Sequence, residues 1–338
     1  MRVRIEDVAA AVGVSMKTVS RVLNQEPGVR ESTRAKVMET VAALNYRPDP
    51  SARSLAGNRS YLVALLYDNP SPNYLMEVVN GVVEACENHH YGMVMQPVAF
   101  QAGDLAETVE TLVETSRLDG LILTPPLTDS GALLDRLDEL GVPFTCISPR
   151  QPQGRIGVTL DEHEAVCELM AHLVDLGHQR IGHIRGHPDH GASEWRLAGY
   201  RSALRRAGLR YDPALVVDGE FSFDSGLAAG RRLLDLARRP TAIFAANDDM
   251  AAGVVRAAAE RGLRVPQDVS VCGFDNTPIS QQIFPRLTTV QRSTRDMGQV
   301  ATVQLLCAIR DPRAGRMVKM PYALQLRQST GPAPQDGA

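Results

Sequence analysis

A short segment near the amino terminus, residues 16–24, carries side chains suited to contacts with double-stranded DNA. Its valines and leucine fall on one helical face, which leaves the longer side chains pointing away from that face. Lysine and arginine pair well with guanine acceptors in the major groove, and the candidate base-contacting residues are Met16, Lys17 and Arg21. Hydroxyl and amide groups suit phosphate oxygens, and the candidate phosphate-contacting residues are Ser15, Thr18, Ser20, Asn24 and Thr33.

Three short helices are expected to position these side chains. The apolar residues within 5–12 follow helical spacing, Gly13 ends that helix, and Ser15 caps the second. Residues 27–28, proline and glycine, break the chain before a third helix, which Ser32 is expected to cap. Two helices joined by a tight glycine turn predict a helix-turn-helix motif. A small helical bundle without a DNA role stays open as an alternative on this local pattern.

From residue 62 onward, short apolar strands alternate with amphipathic helices. Strands are predicted near 62–67, 92–97, 119–124, 142–147, 180–185, 241–246 and 269–273. Helices are predicted near 73–89, 104–116, 129–140, 161–176, 194–208, 224–238 and 249–262. This alternation favours parallel sheets covered on both faces. We therefore expect an α/β fold, with an all-α helix-turn-helix head followed by two doubly wound parallel-sheet lobes.

A ligand crevice is expected beyond the carboxyl ends of the predicted strands, where open parallel sheets bind small molecules. Asn73 and Tyr74 open the first helix of the body, and Ser148 follows the fourth strand. Carboxylate and amide groups beside an aromatic wall suit a polyhydroxylated sugar, and Phe221 is the candidate wall.

Composition and charge narrow the class of protein. Residues 1–60 carry a formal charge of about +4, whereas the whole chain carries -3, so a basic head precedes an acidic body. No long apolar stretch or export signal is found, and the five cysteines lack a paired spacing. We therefore expect a cytoplasmic location and no membrane partner. Nucleotide-binding and hydrolase motifs are missing, and the histidines between 178 and 190 are poorly spaced for metal, so no cofactor or metal is expected.

The head resembles that of the LacI/GalR family of bacterial transcription regulators. The resemblance rests on Ile5-Glu6-Asp7-Val8-Ala9, Gly13-Val14-Ser15, Thr18-Val19-Ser20-Arg21-Val22-Leu23-Asn24 and Leu44-Asn45-Tyr46-Arg47-Pro48. It implies a hinge helix that folds on DNA, with Leu55 wedged into the minor groove beside Ala52 and Arg53. Read without the family, an isolated leucine in a linker is more often a packing residue.

The body resembles the same family more loosely, and its two-lobed pattern looks like periplasmic binding proteins. The resemblance implies that Arg196, in the stretch that begins at Ser193, holds effector oxygens. It also implies effector contacts for Asn247, Asp248 and Asp275, although Asn247 and Asp248 could instead only cap a helix. Many family members carry an aspartate where this chain has Ser148, which offers a hydroxyl without charge.

We therefore interpret the chain as a DNA-binding transcription regulator, a repressor of carbohydrate uptake or catabolism genes. It is expected to bind a palindromic operator as a homodimer under the control of a small sugar-like effector. The expected boundaries are 1–47 for the DNA-binding domain, 48–60 for the hinge, 61–330 for the effector domain and 331–338 for a tail. The first lobe takes about 61–160 and 292–321, and the second about 161–291 and 322–330.

Two other functions are each consistent with part of the sequence. A sugar-binding protein without a DNA role fits the body but not the basic head or the absence of an export signal. An enzyme acting on sugars through Asp248 or Asp275 lacks an identifiable second carboxylate. The chemistry of the effector stays open among a sugar, a nucleoside and a phosphorylated metabolite.

Overall fold

The computed structural model describes residues 3–23, 27–46 and 59–334. The chain divides into two compact units, residues 1–61 and 62–338. Each unit has its own hydrophobic core.

The first unit contains the three predicted short helices. They are α1 (Ile5–Val12), α2 (Met16–Leu23) and α3 (Glu31–Ala43). Gly13 ends α1 in a left-handed conformation, with φ of 73°, which a residue without Cβ adopts at little cost. The shared core consists of Val8, Ala9, Val19, Val22 and Val37. The predicted helix-turn-helix geometry is therefore confirmed.

The two predicted helix caps have different outcomes. Ser15 caps α2 as expected, because its Oγ accepts the Thr18 amide at 3.2 Å. The predicted Ser32 cap is wrong, since α3 already begins at Glu31 and Arg30 is the residue before it. Arg30 makes no side-chain cap, so a serine one residue inside the helix misled the local pattern.

The second unit begins with a parallel sheet in the order β11-β5-β4-β3-β1-β2. Its strands are β1 (Leu62–Tyr67), β2 (Gly92–Pro97), β3 (Gly120–Leu123), β4 (Phe144–Ile147), β5 (Gly157–Thr159) and β11 (Met317–Lys319). Its helices are α4 (Pro72–His89), α5 (Leu105–Ser116), α6 (Gly131–Glu139) and α12 (Thr294–Arg310). The central strands β1 and β3 are almost fully buried and apolar, as expected for a sheet covered on both faces.

A second sheet has the order β12-β10-β9-β8-β6-β7. Its strands are β6 (Ile181–Arg185), β7 (Val216–Asp218), β8 (Ala242–Ala245), β9 (Ser270–Asp275), β10 (Thr288–Arg292) and β12 (Tyr322–Gln325). Its helices are α7 (Glu162–Asp175), α8 (Gly191–Arg206), α9 (Phe223–Leu234), α10 (Asp248–Ala259) and α11 (Ile279–Gln282). Strands β10 and β12 pair antiparallel, while the other pairs run parallel.

The predicted architecture of two parallel-sheet lobes is confirmed, and each predicted strand and helix of the body is present within a few residues. The sequence analysis missed β5, β7, β10, β11, β12, α11 and α12. Within the described ranges, no helix is both long and apolar enough to cross a membrane.

The chain passes between the two lobes more than once. It leaves the first lobe between β5 and α7, returns between β10 and α12, and leaves again between β11 and β12. A change in the angle between the lobes must therefore be absorbed near residues 160–161, 293 and 320–321.

Candidate DNA-binding and effector sites

The outward face of α2 carries the predicted base-contacting residues. Lys17 and Arg21 are exposed, and Met16 is 50% exposed. Val19 and Val22 point the opposite way into the core, with 0% and 2% exposure. The long side chains of the helix are therefore presented to a partner, as a helix that enters the major groove requires.

The predicted phosphate-contacting residues lie at the edge of this face. Thr18, Ser20 and Thr33 are half-buried, and the Ser15 hydroxyl lies 2.9 Å from that of Thr18. Asn24 and the predicted hinge residues lie outside the described residues; those hinge residues are Ala52, Arg53 and Leu55.

In the second unit, a cleft between the lobes brings together residues from the ends of several strands. It encloses about 350 Å³ of space, including its mouth. Six predicted effector residues line it: Tyr74, Ser148, Arg196, Phe221, Asn247 and Asp275. Six further residues complete the wall: Asn69, Ser71, Pro125, His190, Ala192 and Arg292. The convergence follows from the parallel strands of the two sheets, whose carboxyl ends face the cleft.

Two arginines and two carboxylates form a buried cluster at the base of the cleft. Arg196 Nε donates to Glu162 Oε2 at 2.7 Å, and Arg292 Nη1 donates to Glu162 Oε1 at 2.9 Å. Asp275 Oδ1 lies 3.5 Å from Arg196 Nη2 and 3.0 Å from Arg292 Nε. All four residues are at most 6% exposed, so each charge is compensated by a neighbour rather than by water.

Arg196 is held by three further features of its surroundings. Its Nη1 donates to the Ala246 carbonyl, and its guanidinium lies 3.9 Å from the centre of the Phe274 ring. The Phe221 ring centre lies 5.8 Å away on the cleft side. The guanidinium is thus fixed in place before any ligand arrives, which lowers the entropic cost of binding.

The aromatic wall is built from Phe221 and His190, whose ring centres are 5.1 Å apart. Gly186 is required beneath the Phe221 ring, because a Cβ at that position would overlap it. Phe221, Ser148 and Asp275 all have left-handed backbone conformations, with φ of 58°, 50° and 100°. Such conformations are costly for residues with a Cβ and cluster at functional sites.

The environment of the cleft affects two of its polar side chains in different ways. Burial lowers the pKa of His190 to about 3, so its imidazole is neutral at physiological pH. Ser148 is 2% exposed, and its Oγ has no hydrogen-bond partner among the described residues. A buried hydroxyl at the cleft wall is therefore available to a ligand.

Three predicted effector residues lie off the cleft wall, with their side chains bound elsewhere. The Ser193 hydroxyl donates to the His187 carbonyl at 2.6 Å. Asp248 is 0% exposed and accepts hydrogen bonds from Thr277 and from Thr289 Oγ1, the latter at 2.6 Å. Asp248 thus joins α10 to β10, and burial raises its pKa well above the usual value. The third residue, Asn73, takes part in a contact between the lobes.

That contact, here called the latch, consists of Ser71, Asn73 and Asp249. Ser71 Oγ donates to Asp249 Oδ2 at 2.5 Å, and Asn73 Nδ2 donates to Asp249 Oδ1 at 2.6 Å. Ser71 and Asn73 belong to the first lobe, while Asp249 belongs to the second. Burial raises the pKa of Asp249, and the two hydrogen bonds oppose that shift.

A second contact between the lobes involves Asp129 at the mouth of the cleft. Asp129 Oδ1 accepts the Arg150 amide at 2.7 Å, and Oδ2 accepts the Gly191 amide at 2.9 Å. Gly191 is the first residue of α8, so a carboxylate of the first lobe caps a helix of the second. The latch and this cross-lobe cap both join the first lobe to the second.

Sequence reasoning missed Glu162, Asp249 and Arg292. Arg292 ends β10, whose Thr-Thr-Val sequence is typical of a strand, so the rule that pointed to Asp275 would also have found it. Glu162 and Asp249 carry no comparable signal, because acidic residues in the first turn of a helix are common.

Comparisons with known proteins identify both kinds of domain. Residues 4–49 match the family described as bacterial regulatory proteins, lacI family, and residues 170–330 match the periplasmic binding protein-like domain. The catabolite control protein A of Priestia megaterium is 33% identical over 337 residues, 98% of this chain and 100% of that protein. The ribose operon repressor of Escherichia coli (strain K12) is 34% identical over 311 residues, 91% of this chain and 93% of that protein.

Two solved structures are similar over nearly the whole chain. The lac repressor dimer bound to operator and the anti-inducer ONPF has a TM-score of 0.77 and 31% identity, covering 98% of this chain and 100% of that one. The complex of the transcriptional regulator CelR with cellobiose has a TM-score of 0.72 and 32% identity, covering 97% and 100%. With relatives above 30% identity along its length, the chain belongs to the LacI family of bacterial regulatory proteins.

Proposed function

We propose that this protein represses genes of carbohydrate uptake or catabolism by binding a palindromic operator as a homodimer. The observation that carries the proposal is the face of α2, where Met16, Lys17 and Arg21 are presented outward from an apolar core. Residues 1–47 serve as the DNA-binding domain, 48–60 as the hinge and 61–330 as the effector domain. The family relation and the lac repressor dimer on its operator support this assignment.

The effector is a sugar-like molecule that binds in the cleft between the lobes. The name of the ribose operon repressor and the cellobiose in the CelR complex favour this class of ligand. The cleft provides the matching chemistry, because Arg196 and Ser148 offer hydrogen bonds and Phe221 offers an apolar face. A polyhydroxylated ring needs both at once.

The ion cluster provides a route from the effector to the angle between the lobes. Glu162 begins α7 just after one crossing, and Arg292 ends β10 just before the next, and the two are joined at 2.9 Å. Arg196 contacts Glu162, Asp275 contacts Arg292, and both Arg196 and Asp275 line the cleft. An effector that binds one lobe angle more tightly shifts the population toward that angle. In a dimer, this shift changes the separation of the two hinge segments and thus the affinity for the operator.

The proposed function is regulatory and not enzymatic, and it is exercised in the cytoplasm. Asp248 and Asp275 were the candidate acid and base of a sugar-modifying enzyme. Asp248 is buried among the hydroxyls of Thr277 and Thr289, and Asp275 lies between two arginines. Neither carboxylate is positioned as one of a facing pair across a bound sugar.

The test is a selection of binding sites from random duplex DNA with the purified full-length protein at a fixed salt concentration. The expected result is enrichment of an imperfect palindrome whose half-sites are about one helical turn apart. A preparation that enriches no sequence over random DNA, or one without twofold symmetry, would contradict the proposal.

A further inference from the structure

We propose that the effector is an uncharged molecule, and that the cleft rejects phosphorylated and carboxylated sugars. This inference rests on the proposed function, in that it assigns the effector to the cleft between the lobes. It narrows the ligand classes, because the sequence left a sugar, a nucleoside and a phosphorylated metabolite open.

The first reason is that the cationic groups at the cleft are already compensated. Arg196 and Arg292 share the carboxylates of Glu162 and Asp275, with closest contacts between 2.7 and 3.5 Å. The cluster thus has no net charge, and Asp249 lies close by as a further acid. An anionic ligand would have to displace a buried carboxylate or lie beside it, and like charges in a desolvated site cost several kcal/mol.

The second reason is that the helices beginning at the cleft carry their own caps. Helix amino termini attract anions through their unpaired amides. At α4, Ser71 Oγ accepts the Tyr74 amide, and at α10, Asn247 Oδ1 accepts the Met250 amide at 3.0 Å. At α8, the carboxylate of Asp129, which belongs to the other lobe, accepts a hydrogen bond from the amide of Gly191, the first residue of the helix. Asp129 therefore occupies the place that a phosphate or carboxylate of the ligand would take.

The third reason is that the remaining polar groups of the wall are neutral. Burial lowers the pKa of His190 to about 3, so this side chain carries no positive charge near neutral pH. Ser148 offers an unpartnered hydroxyl that both donates and accepts, which suits a sugar hydroxyl.

The experiment is a titration of the full-length protein with matched ligands, followed through the fluorescence of its single tryptophan, Trp195. This residue lies near the start of α8, next to Arg196. The probes are neutral aldopentoses and aldohexoses, together with the phosphate ester and uronic acid of each. We expect a neutral monosaccharide to bind at least about 100-fold more tightly than its phosphate ester or uronic acid.

A charge variant makes the test specific to the cleft. Asp275→Asn removes one of the two carboxylates that compensate the arginines. The ratio of the dissociation constants of the phosphorylated and neutral ligands should therefore fall by at least tenfold. Asp175→Asn makes the same change of charge at the far end of α7 and should leave the ratio unchanged. An unchanged ratio in Asp275→Asn would overturn the charge argument.

The outcomes separate this inference from the proposed function. If a phosphate ester or uronic acid binds as tightly as the neutral sugar, the inference fails while sugar control of the protein stands. If none of the probes binds although the operator does, effector control by a sugar fails, and this inference fails with it.

Discussion

The latch between the lobes allows a prediction about the closed cleft that needs no ligand. In Asp249→Asn, the amide has one acceptor oxygen where the carboxylate has two. Either Ser71 or Asn73 therefore loses its partner, and the remaining hydrogen bond is no longer to a charged group. We expect the variant to open more readily.

The magnitude follows from the two hydrogen bonds of 2.5 and 2.6 Å. A hydrogen bond to a charged group contributes about 1.5–3 kcal/mol, and a neutral one about 0.5–1.5 kcal/mol. The loss is partly offset because asparagine avoids the cost of burying a charge, which is the cost that raises the pKa of Asp249. A net loss of about 1–2 kcal/mol corresponds to a roughly 5–30-fold change in population.

Hydrogen–deuterium exchange of the full-length protein, read by mass spectrometry, measures this change. Peptides from the first turns of α4 and α10 should exchange about 5–30-fold faster in Asp249→Asn. The Asp175→Asn variant serves as the matched control and should exchange at the wild-type rate in these peptides. Exchange within twofold of wild type in Asp249→Asn would show that the latch does not hold the lobes together.

Three further predictions concern the head, the hinge and the second lobe. Arg21→Ala should weaken binding to the selected operator by about 1–3 kcal/mol in a fluorescence anisotropy titration and relax specificity at one base position, without affecting sugar binding. An equal loss of affinity for random DNA would contradict the proposed contact between Arg21 and a base. Leu55→Ala should reduce both operator affinity and DNA bending in a circular permutation assay, and full retention of both would remove the proposed wedge role. Burial lowers the pKa of His183 from 6.5 to about 3, so its contribution to stability is lost as pH falls below 6.5, amounting to about 2 kcal/mol at pH 5. The fall in thermal midpoint between pH 7 and pH 5 should therefore be smaller in His183→Phe, and an equal fall would refute the assignment.

The sequence predicted much of the effector site because parallel sheets impose a simple rule. Asn247 and Asp275 follow or end neighbouring strands of the second sheet, and Ser148 follows a strand of the first; within a sheet, the carboxyl ends of parallel strands meet at one edge. The sequence could therefore place these residues at the binding edges of their sheets without any knowledge of their contacts. The outward face of α2 followed from helical periodicity in the same way.

The wrong and missed predictions concern side chains whose direction depends on partners far away in the sequence. Asn247 and Asp248 are adjacent, yet only Asn247 lines the cleft, because the carboxylate of Asp248 is drawn to Thr277 and Thr289. The pairing of Glu162 with Arg292 joins residues 130 positions apart. No local pattern encodes such contacts, since they depend on how the chain crosses between the lobes.

The central claim is that a molecule bound in the cleft controls the affinity of the DNA-binding domain for its operator. Measuring that affinity with and without the bound sugar tests the claim most directly. At saturation, the sugar should change the dissociation constant for the operator about 5–150-fold. Saturating operator should change the affinity for the sugar by the same factor. In Arg196→Lys, which keeps the buried charge but loses the planar fork, operator binding should persist while the response to sugar is lost. Operator affinity that is the same with and without saturating sugar would contradict the account.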